Sequence, residues 1–161
     1  MTSTDHASSQ TMTVYAPVRD RDNTDHGVRL SSQPRPPATL ITMSGEIDAC
    51  NADHVNDYII SFVHTDHPLV LDLSGVEFLG IAGLRAILRF AAERHALEQD
   101  WALVVSDAVK LMLRVAADHS LAAVDSLVAV GSVDEALQRL AALPNAATRL
   151  RSVISHEGKR C

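Results

Sequence analysis

Residues 70–84 have the sequence Val70-Leu71-Asp72-Leu73-Ser74-Gly75-Val76-Glu77-Phe78-Leu79-Gly80-Ile81-Ala82-Gly83-Leu84. The apolar run that opens this stretch predicts a buried strand, Gly75 marks a turn, and an amphipathic helix follows. A strand that leads into a helix presents free backbone N–H groups and the positive end of the helix dipole. Such a junction often binds phosphate or carries a hydroxyl that becomes phosphorylated. No hydroxyl lies between Gly75 and Leu84, and this absence limits what the junction can do.

Strand and helix patterns alternate on both sides of this stretch. Before it, strands are predicted at 27–31 and 38–45, and Asn51 is predicted to cap a helix. After it, the helix runs to about Leu97, and a strand follows at 101–105. A helix capped by Asp107, a short strand within 121–130 and a helix capped by Ser132 complete the pattern. This alternation predicts an α/β fold, in which about four helices cover a small, mixed, mostly parallel β-sheet.

The domain organisation follows from where the apolar pattern begins and ends. Residues 1–26 are rich in Thr, Ser, Asp and His without an apolar period, so we expect a disordered N-terminal tail. Residues 27–143 form the single predicted domain, and residues 144–161 form a polar C-terminal tail.

Composition narrows the classes of partner and the compartment. Apolar residues make up 47% of the chain and aromatic residues only 4%, so the core is expected to be aliphatic. The formal net charge of −6 argues against nucleic acid and against an anionic membrane as direct partners. No apolar run approaches a bilayer span and no secretion signal is visible, so a cytoplasmic location is expected. Cys50 and Cys161 are interpreted as free thiols, although a redox bridge between them stays open.

The candidate chemical motifs give catalysis little support. The glycines of the junction fit neither a P-loop nor a dinucleotide fingerprint. Asp72 is interpreted as a structural carboxylate, since it has no partner in sequence that resembles a base or a metal ligand. Glu46 and Asp48 are interpreted as structural too, because they shape the turn into the helix capped near Asn51. The cluster at 64–67, which includes His64 and His67, is interpreted as a surface loop. We therefore predict a protein that is not an enzyme and that uses no cofactor and no metal.

Large apolar side chains stand at a junction that is normally polar. We expect Phe78 to fold beneath the helix as part of the core. Alternation prevents Phe78, Leu79 and Ile81 from all pointing inward, so at least one of Leu79 and Ile81 is expected to be exposed. An exposed apolar side chain with a polar rim indicates a protein-binding patch.

Three segments together resemble the STAS domain of anti-sigma-factor antagonists, in particular the actinobacterial members. They are Ser44-Gly45-Glu46-Ile47-Asp48-Ala49, Val70–Phe78, and Gly83-Leu84 at the start of the helix. The order of predicted elements over residues 27–143 is similar as well.

The resemblance implies a function and a switch. Such a domain binds an anti-sigma factor, usually a serine kinase, and so frees a sigma factor for transcription. The kinase phosphorylates a serine within an Asp-Ser-Ser-Gly-Leu type motif, which breaks the complex. Carried onto this sequence, the Asp falls on Gly80, the phosphorylated Ser on Ile81 and the second Ser on Ala82, whereas Gly83 and Leu84 match. Because Ile81 cannot be phosphorylated, binding is expected to resist this switch, unless the partner has changed along with the site.

The predicted partner-binding surface combines the junction with the neighbouring segment after the second predicted strand. Its residues are Asp48, Asn51, Gly75, Leu79, Gly80, Ile81, Ala82 and Gly83. Candidate phosphorylation sites outside it are Thr2, Ser3 and Thr4 in the N-terminal tail. Two alternatives stay open: a scaffold subunit that assembles with other STAS proteins, and a module that senses a nucleotide or a small anion. A homodimer is also left open.

Overall fold

A computed structural model of the chain describes residues 23–25, 27–118 and 129–144. The strands are β1 (Asn23–Asp25), β2 (Val28–Arg35), β3 (Ala38–Ile47), β4 (Leu69–Leu79), β5 (Trp101–Val105) and β6 (Ala129–Val130). The helices are α1 (Ala52–Ile60), α2 (Ile81–Ala96), α3 (Asp107–Asp118) and α4 (Val133–Ala142).

The strands of the described residues form one six-stranded sheet in the order β1-β2-β3-β4-β5-β6. β1, β2 and β3 pair antiparallel, whereas the pairs from β3 to β6 are parallel. The predicted α/β fold, with a mixed, mostly parallel sheet and four helices, is confirmed. Because β3 and β4 are parallel neighbours, their carboxyl ends meet at one edge of the sheet.

The sheet separates two apolar layers. Leu69, Leu71 and Leu73 of β4 point into the larger layer, which also contains buried residues of α1, α2 and α3. Val70 points to the opposite face, where Leu140 of α4 packs in a smaller cluster. The buried residues are mostly Val, Leu, Ile and Ala, as predicted for a chain with few aromatics. A sheet covered on both faces explains the nearly continuous apolar run at the start of β4.

β4 is longer than the sequence predicted. Gly75 is not a turn residue, since the strand continues to Leu79 and remains paired with β3 beyond a register shift. Gly75 lies opposite Ser44, and a Cβ at position 75 would come within 2.8 Å of the Ser44 Cβ. The glycine therefore permits two strands to approach closely at an irregularity of the ladder.

Two of the three predicted helix caps differ from the prediction. Asn51 occupies the N-cap position of α1, but its side chain makes no capping hydrogen bond to the helix. Asp107 is already the first residue of α3, and the Ser106 Oγ accepts the capping bond from the Val109 N–H at 3.2 Å. Ser132 caps α4 as predicted, accepting a hydrogen bond from the Glu135 N–H at 3.2 Å.

The N-terminal boundary also differs, because residues 23–25 of the predicted tail form β1. They pair with residues 28–30 of β2, which gives their backbone groups partners that a disordered tail would lack. Residues 1–22, 26, 119–128 and 145–161 lie outside the described residues, and they include most of both predicted tails, Cys161 and the predicted start of the last strand. Among the described helices, none has both the length and the hydropathy needed to cross a bilayer.

Candidate partner-binding site

The candidate site lies where β3 and β4 end and α2 begins. The Gly80 N–H donates a hydrogen bond of 2.7 Å to the Ile47 carbonyl oxygen, which fastens the end of β4 to the end of β3. Gly80 then accepts from the Leu84 N–H at 3.0 Å, so the helix starts directly after the strand. The connection between β4 and α2 is thus a single residue long, which is much shorter than the turn that the sequence predicted from Gly75 onward.

Ile81 is the most exposed large apolar residue in the described part of the chain, with 63% of its surface accessible. Its neighbour Phe78 is 50% accessible. Leu79 is the opposite case, because it is 2% accessible and packs in the core. The prediction that at least one of Leu79 and Ile81 is exposed is therefore confirmed, and the exposed residue is Ile81.

The prediction that Phe78 lies in the core is wrong. Leu79 points into the core, and successive side chains of a strand face opposite sides, so Phe78 points outward. Counting alternation backward from Leu79 would have found this. Counting forward from Leu73 gives the same result for Phe78, although it misplaces the buried Val76, because the ladder shifts register between Thr42 and Ser44 and again between Gly45 and Glu46.

The turn between β3 and α1 lies beside Gly80 and is fixed by side-chain hydrogen bonds. The Asn51 Nδ2 donates to the Glu46 carbonyl oxygen at 2.9 Å, and the Asn51 Oδ1 accepts from the Asp48 N–H at 3.1 Å. The Asp48 Oδ1 accepts from the N–H of the exposed Cys50 at 2.7 Å. A Cβ on Gly80 would lie 3.5 Å from the Asp48 Cα, so this turn and the start of α2 are in contact range.

The structure divides the eight predicted site residues into accessible, buried and distant ones. Ile81 is exposed, and Asp48, Gly80 and Ala82 are half-buried, so these four can touch a partner. Asn51, Leu79 and Gly83 are buried, which makes them supports and corrects their assignment as contacts. Gly75 is exposed but lies five residues before Gly80 in an extended strand, about 16 Å away along the strand. Thr2, Ser3 and Thr4 lie outside the described residues.

Gly83 holds the helix close to the two strands. A Cβ at this position would come within 2.5 Å of the Ile47 Cγ2 and 2.8 Å of the Leu79 Cδ1. Any larger residue would push α2 away from the ends of β3 and β4. Close packing therefore explains the glycine at position 83, whether or not the site is phosphorylated.

The side of the site formed by α2 is positively charged. The first turn of α2 contains no acidic residue, and Gly80 has no side chain with which to cap it. Arg85 and Arg89 follow Ile81 at intervals of four residues, on the same side of the helix. Within the described residues, no group of three or more His, Cys, Asp or Glu side chains is arranged to hold a metal ion.

Comparison with known families identifies the fold. Residues 29–117, more than half of the chain, match the profile of the STAS domain. The chain belongs to the STAS domain family. One curated relative of this STAS protein is osmosensory protein A of Mycobacterium tuberculosis, with 36% identity over 72 residues. That alignment covers 45% of this chain and 46% of the relative, so the two correspond over less than half of their lengths.

Solved structures support the STAS fold independently. An anti-sigma factor antagonist from Mycobacterium paratuberculosis superposes with a TM-score of 0.60 at 24% identity, covering 71% of this chain and 94% of that one. The unphosphorylated form of the anti-sigma factor antagonist SpoIIAA, a Bacillus cell fate determinant, superposes with a TM-score of 0.55 at 13% identity. In that case 72% of this chain and 99% of SpoIIAA are covered. At sequence identities this low, the similarity to these structures establishes the fold alone.

Proposed function

We propose that this STAS protein is an anti-sigma-factor antagonist, which binds an anti-sigma factor and so releases a sigma factor for transcription. The observation that carries the proposal is the exposed Ile81 at the start of α2, on a junction fixed by the Gly80 to Ile47 hydrogen bond. Two structural neighbours are named as antagonists of this kind, which supports the same role here.

An exposed isoleucine on a rigid junction favours binding to a protein surface. Complete burial of an Ile or Phe side chain contributes about 1.5–3 kcal/mol relative to leaving it in water. Ile81 and Phe78 both retain at least half of their accessible surface, so a partner can still gain much of this energy. The β3–α1 turn and the strand ends hold the apolar contact in place, so little conformational entropy is lost on association.

The proposed antagonist lacks the phosphoserine switch that its resemblance to the family implies. Ile81 stands where the resemblance places the phosphorylated serine, and isoleucine has no oxygen to accept a phosphoryl group. A phosphate would add about −1.5 to −2 charges, which disrupts an apolar interface by desolvation and repulsion. With Ile81 at this position the complex is expected to persist in the presence of ATP. Regulation then acts elsewhere, and Thr2, Ser3 and Thr4 are the proposed sites.

The proposal also concerns the cell context. We place the protein in the cytoplasm, acting as a binding module without catalysis, cofactor or metal. A relative bears the name osmosensory protein A, and we propose an environmental stress as the upstream signal for this chain too.

A displacement assay tests the proposed function. The full chain is added to a purified complex of a sigma factor and a kinase-like anti-sigma factor from the same organism, and the products are separated by size exclusion. We expect the sigma factor to elute free while the chain co-elutes with the anti-sigma factor, with and without Mg-ATP. The proposal fails if no candidate anti-sigma factor forms a complex, and equally if the chain elutes only with itself or with other STAS proteins.

A further inference from the structure

A groove between α1 and α2 continues from the Ile81 contact and has no role in the fold described so far. Its cavity has a volume of about 280 Å³. We call it the α1–α2 groove, and it is lined by Ala52, Asp53, Asn56, Ala82, Arg85, Ala86 and Arg89. Three of these are alanines, whose short side chains leave space between the helices. Because Ala82 directly follows Ile81, a partner that covers Ile81 also meets the mouth of the groove.

The α2 side of the groove is positively charged. Arg89 is engaged by Glu93 through an ion pair of 3.0 Å between its Nε and the Glu93 Oε1. Arg85 is exposed and, among the described residues, forms no ion pair and no hydrogen bond through its side chain. Its guanidinium is therefore available to a carboxylate that approaches along α2.

The α1 side of the groove carries one carboxylate, Asp53, against the two arginines of α2. Asp53 is exposed on the opposite wall, but no ion pair within 4.0 Å links it to Arg85. Asn56, the other polar residue on that wall, is uncharged and half-buried. With two arginines, one aspartate and three alanines, the lining of the groove has a net positive charge.

We propose that the α1–α2 groove receives an acidic segment of the anti-sigma factor, and that Arg85 pairs with a carboxylate of that segment. The inference rests on the proposed function, because it assigns a second contact to the same partner. One helical turn separates Arg85 from Ile81, so an apolar side chain and a carboxylate one turn apart on a partner helix would match both. A planar guanidinium suits this role, since it can donate two hydrogen bonds to one carboxylate.

Because the chain as a whole is negatively charged, an acidic segment can bind only through a local contact with a positive group such as Arg85. With a formal charge of −6, the whole molecule repels acidic partners at long range. At about 0.1 M salt the Debye length is about 10 Å, so this repulsion is largely screened while a direct contact keeps its strength. Arg85 then selects between anti-sigma factors, favouring one with a carboxylate at the contact and disfavouring one with a cation there.

The test compares Arg85→Glu with Arg114→Glu, which makes the same change of charge at another exposed arginine, on α3. The probe is the purified anti-sigma factor identified in the displacement assay, and calorimetry measures its Kd for each full-length variant. We expect Arg85→Glu to weaken binding by about tenfold or more, and Arg114→Glu by less than about twofold. Arg85→Gln, which is neutral and keeps hydrogen-bond donors, should fall between wild type and Arg85→Glu.

The outcomes separate this inference from the proposed function. An equal loss in Arg85→Glu and Arg114→Glu would overturn the groove contact, because total charge would explain both. Unchanged binding by Arg85→Glu, with binding abolished by Ile81→Glu, would overturn the groove contact and leave the proposed function standing. Absence of any complex with the wild-type chain would overturn both. Melting temperatures within about 2 °C of wild type establish that the variants are folded.

Discussion

At the scale of single residues, Leu79 and Ile81 show that two similar side chains close in sequence can differ completely in exposure to solvent. Both are large and aliphatic and they are separated only by Gly80, yet Leu79 is 2% and Ile81 63% accessible. Leu79 ends a strand with its side chain in the core. Ile81 begins a helix, where the direction of the side chain is set by a different periodicity. The change from period 2 to period 3.6 at Gly80 is what turns an apolar residue toward solvent.

Gly83 should respond to substitution in the opposite way to an ordinary helix glycine. Helix propensity alone would make Gly83→Ala stabilising by about 1 kcal/mol. The new methyl group would lie 2.5 Å from the Ile47 Cγ2, so we expect overpacking to dominate. The net result should be a free energy of unfolding lower by about 1–3 kcal/mol, measured by urea denaturation.

Gly131→Ala is the matched control, because a Cβ there would meet only the Glu135 Oε2, at 3.7 Å. It should change stability by less than about 0.5 kcal/mol. Equal stability of Gly83→Ala and wild type would mean that α2 can move away from the strand ends, contrary to the packing described.

Arg94 is a fully buried cation that sequence reasoning did not single out. Its Nη1 donates to the carbonyl oxygens of Val63 and Thr65 at 3.1 and 2.8 Å. Its Nη2 donates to the carbonyl oxygens of His67 and Asp100 at 3.0 and 2.7 Å. Burial lowers the pKa of Arg94 to about 10, an effect that nearby Asp100 and Asp66 partly offset, so it stays charged at neutral pH. One guanidinium thus ties the loop before β4 to the loop before β5.

Replacement of Arg94 by lysine should destabilise the protein although the charge is kept. An ammonium group cannot reach the same set of carbonyl oxygens, and the unpaired groups would stay buried. We expect Arg94→Lys to lower the free energy of unfolding by about 3 kcal/mol. Arg89→Lys, on the exposed side of the same helix, should change it by less than about 0.5 kcal/mol. Chemical denaturation of both variants measures the difference, and similar values for the two would contradict the role given to Arg94.

At the scale of elements, the sequence predicted those whose pattern is regular. β5 has the predicted bounds of 101–105, and α4 begins after the predicted cap at Ser132. β4 was predicted too short because its alternation breaks opposite the register shifts of β3, which no periodicity in β4 alone reveals. β1 was missed for another reason, since three polar residues become a strand only through their pairing with β2. Tertiary pairing, and not local propensity, decides both.

The turn between β3 and α1 depends on the side chain of Asn51. Asn51 is buried and bonds the backbone at both Glu46 and Asp48. Asn51→Ala leaves these groups without their partner, so we expect a free energy of unfolding lower by about 1–3 kcal/mol. Thermal unfolding of the variant beside Cys50→Ser, which changes an exposed residue of the same turn, measures this. A loss no larger than that of Cys50→Ser would show that the turn holds without Asn51.

At the scale of the whole molecule, the proposed binding contact at Ile81 and the buried Arg94 lie at opposite edges of the sheet. Ile81 stands at the carboxyl ends of β3 and β4, where parallel sheets commonly place their ligands. Arg94 lies near the other end of α2, among the loops that lead into β4 and β5. The order of elements predicted the parallel sheet in which the ends of β3 and β4 lie side by side. The exposure of Phe78 follows from simple alternation along β4, whereas the place of Gly75 inside a strand depends on the irregular pairing of β3 with β4.

The central claim is that an apolar contact through Ile81 binds an anti-sigma factor. Its most direct test is a calorimetric titration of the purified anti-sigma factor with wild type, Ile81→Glu and Leu143→Glu. Leu143 is also an exposed apolar residue, but it lies at the end of α4. We predict that Ile81→Glu weakens binding by about 100-fold or more, since a buried carboxylate costs at least about 2–3 kcal/mol, while Leu143→Glu binds like wild type. Equal affinity of Ile81→Glu and wild type, with both folded, would contradict the account.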